Sequence, residues 1–323
     1  MDTVPLKFVD SVVEFFGKDT LDELAKEVRH PLWKDVVDLH HRNRVYYKVD
    51  FWKEKKGGIK HVFKNRTEVD LSINTRTLKE KGRFTRIVGV YDAAYRDLSY
   101  RDEVEPHGEA EATKLLETIF PLIDPVSSSY SWVCGSTYCT KWLLPLLFKR
   151  VHLQRIIIPY CGQIAYDFLE DQINNSPFLN YVQISGKNWP KSTLDLVTKF
   201  CFKGRPGKRV EVCLYSGIHL EGNYIQNLLD LWKANGNLHF ELFSFEDIMD
   251  EEGIRALMSK GQEIRHPKAT QEDYNFRRFF KHETEKSVLF VSNHGFVMKC
   301  YNCECDKFEK CLLKNDYPEY HKF

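Results

Sequence analysis

Four cysteines crowd into the stretch Cys300-Tyr-Asn-Cys303-Glu-Cys305-Asp-Lys-Phe-Glu-Lys-Cys311, with His294 before it and His321 after it. Thiolates and imidazoles are the donors that hold zinc in a tetrahedral site. The pair Cys300-x-x-Cys303 has the spacing of a zinc knuckle. Cys305 follows too closely to open the usual second pair, and no long loop separates two halves of a site. VMKCYNC also alternates as a strand does, which buries its cysteines in a core. The expectation is structural thiols, with no metal ligand, no cofactor and zinc below one per chain. Cys134 and Cys139 form a looser pair to which no role is assigned.

GRPGKR, at 204–209, invites comparison with a phosphate-binding loop, but it lacks G-x-x-x-x-G-K-[ST] and precedes a strand instead of joining strand to helix. It reads as a turn. H-E-x-x-H, G-x-S-x-G and G-x-G-x-x-G do not occur. His40, His41 and the other histidines have no partner that spacing identifies. Catalytic residues are therefore not assigned, and the chain is expected not to be an enzyme.

The elements that would position any of these groups come next. The 323 residues, 42% of them hydrophobic, suffice for one large domain or two ordinary ones. With 47 basic and 46 acidic side chains, the net charge of +1 gives no bulk attraction for duplex nucleic acid. The nine cysteines, an odd number, point to reduced thiols in the cytoplasm or nucleus. The opening MDTVPLKFVDSVVEFF is apolar, but Asp2 precedes the run and Lys7, Asp10 and Glu14 interrupt it. A signal peptide is not expected. The apolar runs are too short to span a bilayer, so no membrane partner is expected.

Residues 1–44 read as three short helices. Phe8, Val12, Phe15 and Phe16 share one face of the first, and Pro5 suits its first turn. The second starts near Asp19 as N-cap and carries Leu21, Leu24, Ala25 and Val28. The third starts at His30-Pro31 with Leu32, Trp33, Val36, Val37 and Leu39. So small a core needs a neighbour, and part of its apolar surface is expected to face one. A helical cap on the next module is the plain alternative.

The order Val4-Pro5, Phe8, Val12, Leu21, Leu24 and Trp33 resembles an F-box, although Val stands where Leu is usual before the Pro. The same start, the later LWKDVVDLHHRNRVYY and the repeat-like second half are similar to a large nematode family of F-box-like proteins. The resemblance implies that Val4, Pro5, Phe8, Val12, Leu21, Leu24 and Trp33 bind a Skp-type adaptor. It further implies a substrate receptor of a cullin–RING (SCF-type) ubiquitin ligase, which holds its target without doing chemistry.

Residues 45–150 read as the strand-rich first part of a repeat domain with a helical insert. VYYKVDFW alternates with Val45, Tyr47, Val49 and Phe51 on one side, and Gly57-Gly58 before IKHVF marks a hairpin. Lys53, Lys55, Lys56, Lys60, Lys64 and Arg66 make 53–66 the most basic stretch. A nucleic-acid contact is one reading, but a solvated tip guarding a sheet edge is the simpler one. Strands are expected at 69–73 and 86–91 and a helix from Glu109 to Phe120. SSSYSWVCGSTYC is expected as loop, and TKWLLPLLFKR as a helix broken at Pro145.

In residues 151–323 four alternating segments place Ile156/Ile158, Val182/Ile184, Val212/Leu214 and Phe240/Leu242 equivalently. They step by roughly 26, 30 and 28 residues, the period of leucine-rich repeats. Helical patterns around Phe168, Leu169 and Ile173, around Leu194, Val197 and Phe200 (Ser192 as N-cap), and around Ile225, Leu228 and Trp232 lie between them. Strand then helix, repeated, requires parallel strands with crossovers. The expected fold is α+β or α/β: a small N-terminal helical F-box-like module, then an irregular leucine-rich-repeat-like strand–helix solenoid with a C-terminal cap. An ordinary doubly wound sheet is the alternative. Residues alternating with the buried set, Arg155, Ile157, Tyr181, Gln183, Glu211, Cys213 and Tyr215, are expected to form the outward surface that binds a protein target. A covered second core on that face is the other possibility. The expected function is protein–protein recognition. A repeat-type scaffold with no ligase link, or nucleic-acid binding through the 53–66 hairpin, are the alternatives.

Overall fold

The structure is a computed structural model, and it describes residues 5–54, 57–65, 68–93, 103–132, 137–215, 217–245, 256, 258–260, 262–263, 277–292, 296–308 and 311–321. It is a mixed α/β fold. The chain divides into two compact units, Met1–Ile157 with Gln163–Phe178, and Ile158–Gly162 with Leu179–Phe323.

The first unit opens on three helices, α1 (Leu6–Glu14), α2 (Lys18–Glu27) and α3 (Pro31–Asn43). Their common core is Val9, Val13, Leu21, Val36 and Val37, with Phe16, Leu24, Ala25, Leu32 and Trp33 packed against it. Proline before α1 and at the first position of α3 fits both starts, where a missing N–H leaves no bond unmade. Asp19 does not cap α2: Gly17 holds that position and Asp19 lies in the first turn, where its charge suits the helix dipole. The module is fastened by Arg44, which follows α3. Its guanidinium donates to the carbonyls of Phe16 (2.6 Å) and Val13 (2.7 Å) and to His40 Nδ1 (3.2 Å). It thereby ties the C-terminal end of α1, where the Val13 carbonyl also accepts from Phe16 N–H at 3.1 Å, to the residue that follows α3.

Next comes a sheet in which β1 (Val45–Lys53) pairs antiparallel with β2 (Ile59–Asn65) and parallel with β4 (Thr85–Asp92). The hairpin is closed where Glu54 N–H donates to Gly58 O (2.8 Å) and Gly57, at φ +99°, donates to Glu54 O (3.0 Å). The expected strand at 69–73 is only the two-residue β3 (Glu68–Val69). The chain then turns into α4 (Thr75–Lys81). A capping box makes that helix: Asn74 accepts from Thr77 N–H, and Thr77 accepts from Asn74 N–H. After α5 (Glu109–Ile119), the stretch expected as loop forms β5 (Ser129–Trp132), parallel to β4 and to β6 (Arg155–Pro159). Between them α6 (Tyr138–Leu147) runs through Pro145 unbroken. α7 (Gln163–Asn175) returns to this unit, and its buried Gln172 holds the chain before β6 by bonds to Leu153 N–H and Val151 O.

In the second unit β7 (Tyr181–Ser185), β8 (Val210–Leu214) and β9 (Phe240–Ser244) lie side by side in chain order and parallel, joined by α8 (Thr193–Cys201) and α9 (Gly222–Asn235). Ile158, Val182, Ile184, Val212, Leu214, Phe240 and Leu242 are buried as the alternation requires, and so is Ile156 in the first unit. Ser192 holds the N-cap position of α8 without a side-chain bond. Beyond β9 the pairing turns antiparallel, through β13 (Phe296–Asn302), β12 (Ser287–Ser292), β11 (Arg277–Lys281) and β10 (Gln262–Glu263). The five-residue helix α10 (Leu312–Asp316) and a short 3-10 turn at Pro318–Tyr320 follow.

Candidate functional sites

On α1, two apolar stripes run along different sides. Val9 and Val13 face the three-helix core and are fully buried, while Phe8 is 56% and Phe15 69% exposed. At 100° per residue, Phe8, Val12 and Phe15 occupy one side, i, i+4 and i+7, turned away from Val9 and Val13. Of the residues assigned to an adaptor surface, Phe8 and the exposed Pro5 are therefore accessible and Val12 is half-buried beside them. Leu21 is not available, because it sits in the core at 1% exposure. Leu24 and Trp33 are half-buried against that core. Val4 lies outside the described residues. Phe15, absent from the assigned set, caps the C-terminal end of α1 and is 69% exposed; its place at i+7 from Phe8 was the signal. The stripe is held in orientation by Asp10, which pairs with His40 Nε2 (3.0 Å) and with Arg83. Arg83 beside Asp10 keeps its carboxyl below the usual range.

On the strands, the expected outward residues divide. Arg155 is exposed and Ile157 half-buried, in the first unit. In the second unit Gln183 and Glu211 are half-buried and Tyr215 is 36% exposed. Tyr181 and Cys213 are not outward anchors: they are 9% and 6% exposed. Tyr181 donates its hydroxyl to Gln183 Oε1 (2.8 Å), two residues along the same face, and reaches Cys213 Sγ at 3.5 Å across the register. The row beyond carries charge instead of a flat apolar surface. Glu241, opposite Glu211, is buried and takes Arg209 (2.9 Å), Lys299 (3.2 Å) and the Tyr301 hydroxyl (2.8 Å). At the end of β8 the ring of Tyr215 stacks on Phe245, centroids 4.4 Å apart, and Phe245 is 59% exposed. This pair forms an accessible aromatic platform.

The basic hairpin offers few charges to a phosphate backbone. Lys53 pairs with Glu109, Lys60 with Glu54 at 2.9 Å and Lys64 with Asp50, and both Lys60 and Lys64 are buried. Lys55, Lys56 and Arg66 lie outside the described residues. GRPGKR is a tight turn before β8, closed by reciprocal bonds between Arg205 and Lys208. A cleft of about 510 Å³ in the first unit is lined by His61, His107, Glu111 and Asn74 among others. His107 pairs with Glu111 at 3.1 Å, and burial pushes His61 down to about 4, so it is neutral at pH 7.

The C-terminal cysteines separate into two groups. Cys300 points into the core from β13 and is wholly buried, so it is not half of a knuckle. Cys303 and Cys305 lie just past the end of β13, in a turn where the Glu304 carbonyl accepts from Lys307 (3.0 Å) and Phe308 (2.9 Å). Cys311 precedes α10, and the 3-10 turn carries His321 back. The Sγ atoms of Cys303, Cys305 and Cys311 and a ring nitrogen of His321 all lie within 4.8 Å of one another. His321 Nε2 is 3.2 Å from Cys303 Sγ and 3.1 Å from Cys305 Sγ. Glu304 N–H donates to Cys311 Sγ at 3.3 Å. Burial opposes ionisation of Cys311, but hydrogen bonds from the N–H groups of Glu304 and Lys314 and from the Cys305 and Cys303 thiols together hold it below its ordinary value. Desolvation and the neighbouring thiols of Cys303 and Cys311 push Cys305 up to about 11.

Among the described residues, no helix is long and apolar enough to cross a membrane. Comparison with protein-family models, with curated proteins and with solved structures finds no match to this chain.

Proposed function

We propose that the protein is a non-enzymatic recognition protein, similar to the substrate receptors of cullin–RING ubiquitin ligases. On this reading α1–α3 form an F-box-like module whose α1 docks a Skp-type adaptor, and the strand–helix part is a leucine-rich-repeat-like solenoid that holds the target. The observation carrying the proposal is the exposure of Phe8 and Phe15, with half-buried Val12 between them, on a module whose own core already closes behind them with Val9 and Val13. Aromatic side chains left in water on one side of a helix are the anchors that helix-in-groove partners use. The parallel strands β7, β8 and β9, joined by α8 and α9, are the strand–helix succession that a solenoid would stack. The Tyr215–Phe245 platform supplies the target surface with rigid aromatic contact area.

The test is affinity purification with mass spectrometry, from the intact chain and from the chain without residues 1–44. The proposal expects a Skp-type adaptor with the first and not with the second. An intact chain that recovers no such adaptor, under conditions where an authentic F-box protein does, overturns it. Nucleic-acid binding through 53–66 is disfavoured by the paired lysines.

A further inference from the structure

We propose that Cys303, Cys305, Cys311 and His321 form a structural zinc site, binding one Zn²⁺ in a closed tetrahedral shell of three thiolates and one imidazole. Around a zinc with bonds of about 2.3 Å to sulfur and about 2.0 Å to nitrogen, tetrahedral ligands stand roughly 3.5–3.8 Å apart. The four donors already lie within 4.8 Å of one another, and the two sulfur–imidazole distances are 3.2 and 3.1 Å. Placing the ion requires only small side-chain movements. The donor set selects the metal: soft thiolates with an imidazole in a tetrahedron suit zinc, whereas calcium and magnesium require oxygen ligands. Four protein ligands leave no open position, which makes the site structural and not catalytic.

The surroundings carry the features that metal sites add outside the ligands. Glu304 N–H points at Cys311 Sγ, the kind of bond that fixes a thiolate in place. The carboxylate of Glu304 is turned away from the sulfurs. It accepts from Gly207 N–H at 2.7 Å and lies 3.3 Å from His239 Nδ1, so it anchors the turn between Cys303 and Cys305 without competing as a ligand. Gly207, at φ +80°, permits this approach, and a Cβ there would stand 2.5 Å from the ring of Phe308. Aromatic packing seats the returning segment: Tyr320 lies on Phe279 at 3.8 Å and Tyr317 beside Tyr301 at 5.5 Å. The apolar cluster behind the site has five buried members, Phe279, Val288, Tyr301, Cys311 and Leu313. A five-residue helix and one 3-10 turn are too short to hold themselves. An ion bonded to Cys303 and Cys305 at the strand end, to Cys311 before α10 and to His321 after the last turn crosslinks all three pieces. Binding displaces the thiol protons to solvent and involves no oxidation, so no co-reactant is needed.

The experiment uses the full chain, purified with reductant, with zinc measured per chain and Co²⁺ exchanged in as a spectroscopic probe. The expected result is one zinc per chain, and the cobalt form should show intense tetrahedral visible bands with thiolate charge transfer in the near ultraviolet. Cys303→Ser and Cys311→Ser should each weaken cobalt binding by at least about 100-fold, whereas Cys161→Ser, outside the cluster, should not. Because the serine variants could fail to fold, His321→Cys is the second arm. It keeps four ligands, and it should keep the metal with stronger charge transfer. A reduced, folded chain with no tetrahedral cobalt spectrum overturns the proposal. So does bound metal that survives both Cys303→Ser and Cys311→Ser, or a native disulfide among these thiols.

Discussion

Phe8 and Val9 are adjacent in α1, about 100° apart around the helix, and differ sharply in burial: Val9 is wholly buried in the three-helix core and Phe8 is 56% exposed. Substitutions at the two positions should therefore differ in their effect on folding. Val9→Ala should destabilise the chain by about 2 kcal/mol, through lost apolar burial and a cavity the helices cannot fully close. Phe8→Ala should change stability by less than about 0.5 kcal/mol, as exposed substitutions do. Chemical denaturation of the two variants checks this. Equal losses would mean that Phe8 is covered in solution.

Arg44 is the tie that orients the exposed stripe. It is 7% exposed and donates to the carbonyls of Val13 and Phe16. Arg44→Met should cost about 2 kcal/mol, because the charge-assisted bonds to the Val13 and Phe16 carbonyls are lost. Amide hydrogen exchange should rise first in α1. Unchanged protection there would show that helix packing alone sets the orientation.

Tyr181 and Tyr215 were expected to behave alike, and the structure separates them. Tyr181 is buried and bonded to Gln183 across one face, so Tyr181→Ala should lower the melting temperature clearly, with a loss of about 3 kcal/mol. Tyr215 stacks on Phe245 at the surface, and Tyr215→Ala should cost about 1 kcal/mol or less. Thermal melts of both variants decide this, and a large drop for Tyr215→Ala would remove the platform as a binding surface.

His61 gives the first unit an acid-sensitive point. It packs against Phe51, Phe63 and His107, with Glu111 beyond, and titrates near 4 in the fold. Unfolded histidine titrates near 6.5, so the unfolded chain takes the proton first. The stabilisation is full above about pH 6.5 and is lost as the pH falls towards 4, by about 3 kcal/mol in all. His61→Phe keeps the ring packing and should reduce the stability difference between pH 7 and pH 4.5. A variant that loses as much stability as the parent over that interval would contradict the assignment.

Legibility in the sequence followed the strength of the local pattern. β6 to β9 and the helices between them were readable because Ile, Val, Leu and Phe alternate or recur without interruption. β5 was not, because Ser129-Tyr-Ser-Trp132 is half serine and pairs only through strands distant in sequence. α4 has one buried apolar residue, Leu78, so periodicity could not find it, although Asn74 and Thr77 spelled its capping box. In α1 the outward placement of Phe8 was legible from the spacing, whereas Phe16 packs against the three-helix core and Leu21 of α2 lies inside it. At the C-terminus the regular Cys300-x-x-Cys303 pair drew attention to a residue that lies in the core. The converging donors come from a strand end, a helix start and a 3-10 turn, which no fixed spacing encodes.

Direct binding of a purified Skp-type adaptor to the full chain, compared with the double variant Phe8→Ala/Phe15→Ala, tests the central claim. The account predicts a saturable complex with the parent chain. It predicts at least about 100-fold weaker binding by the variant, the loss of two aromatic anchors, with melting temperature unchanged. No complex with the parent, or an equally tight complex with the folded variant, would contradict it.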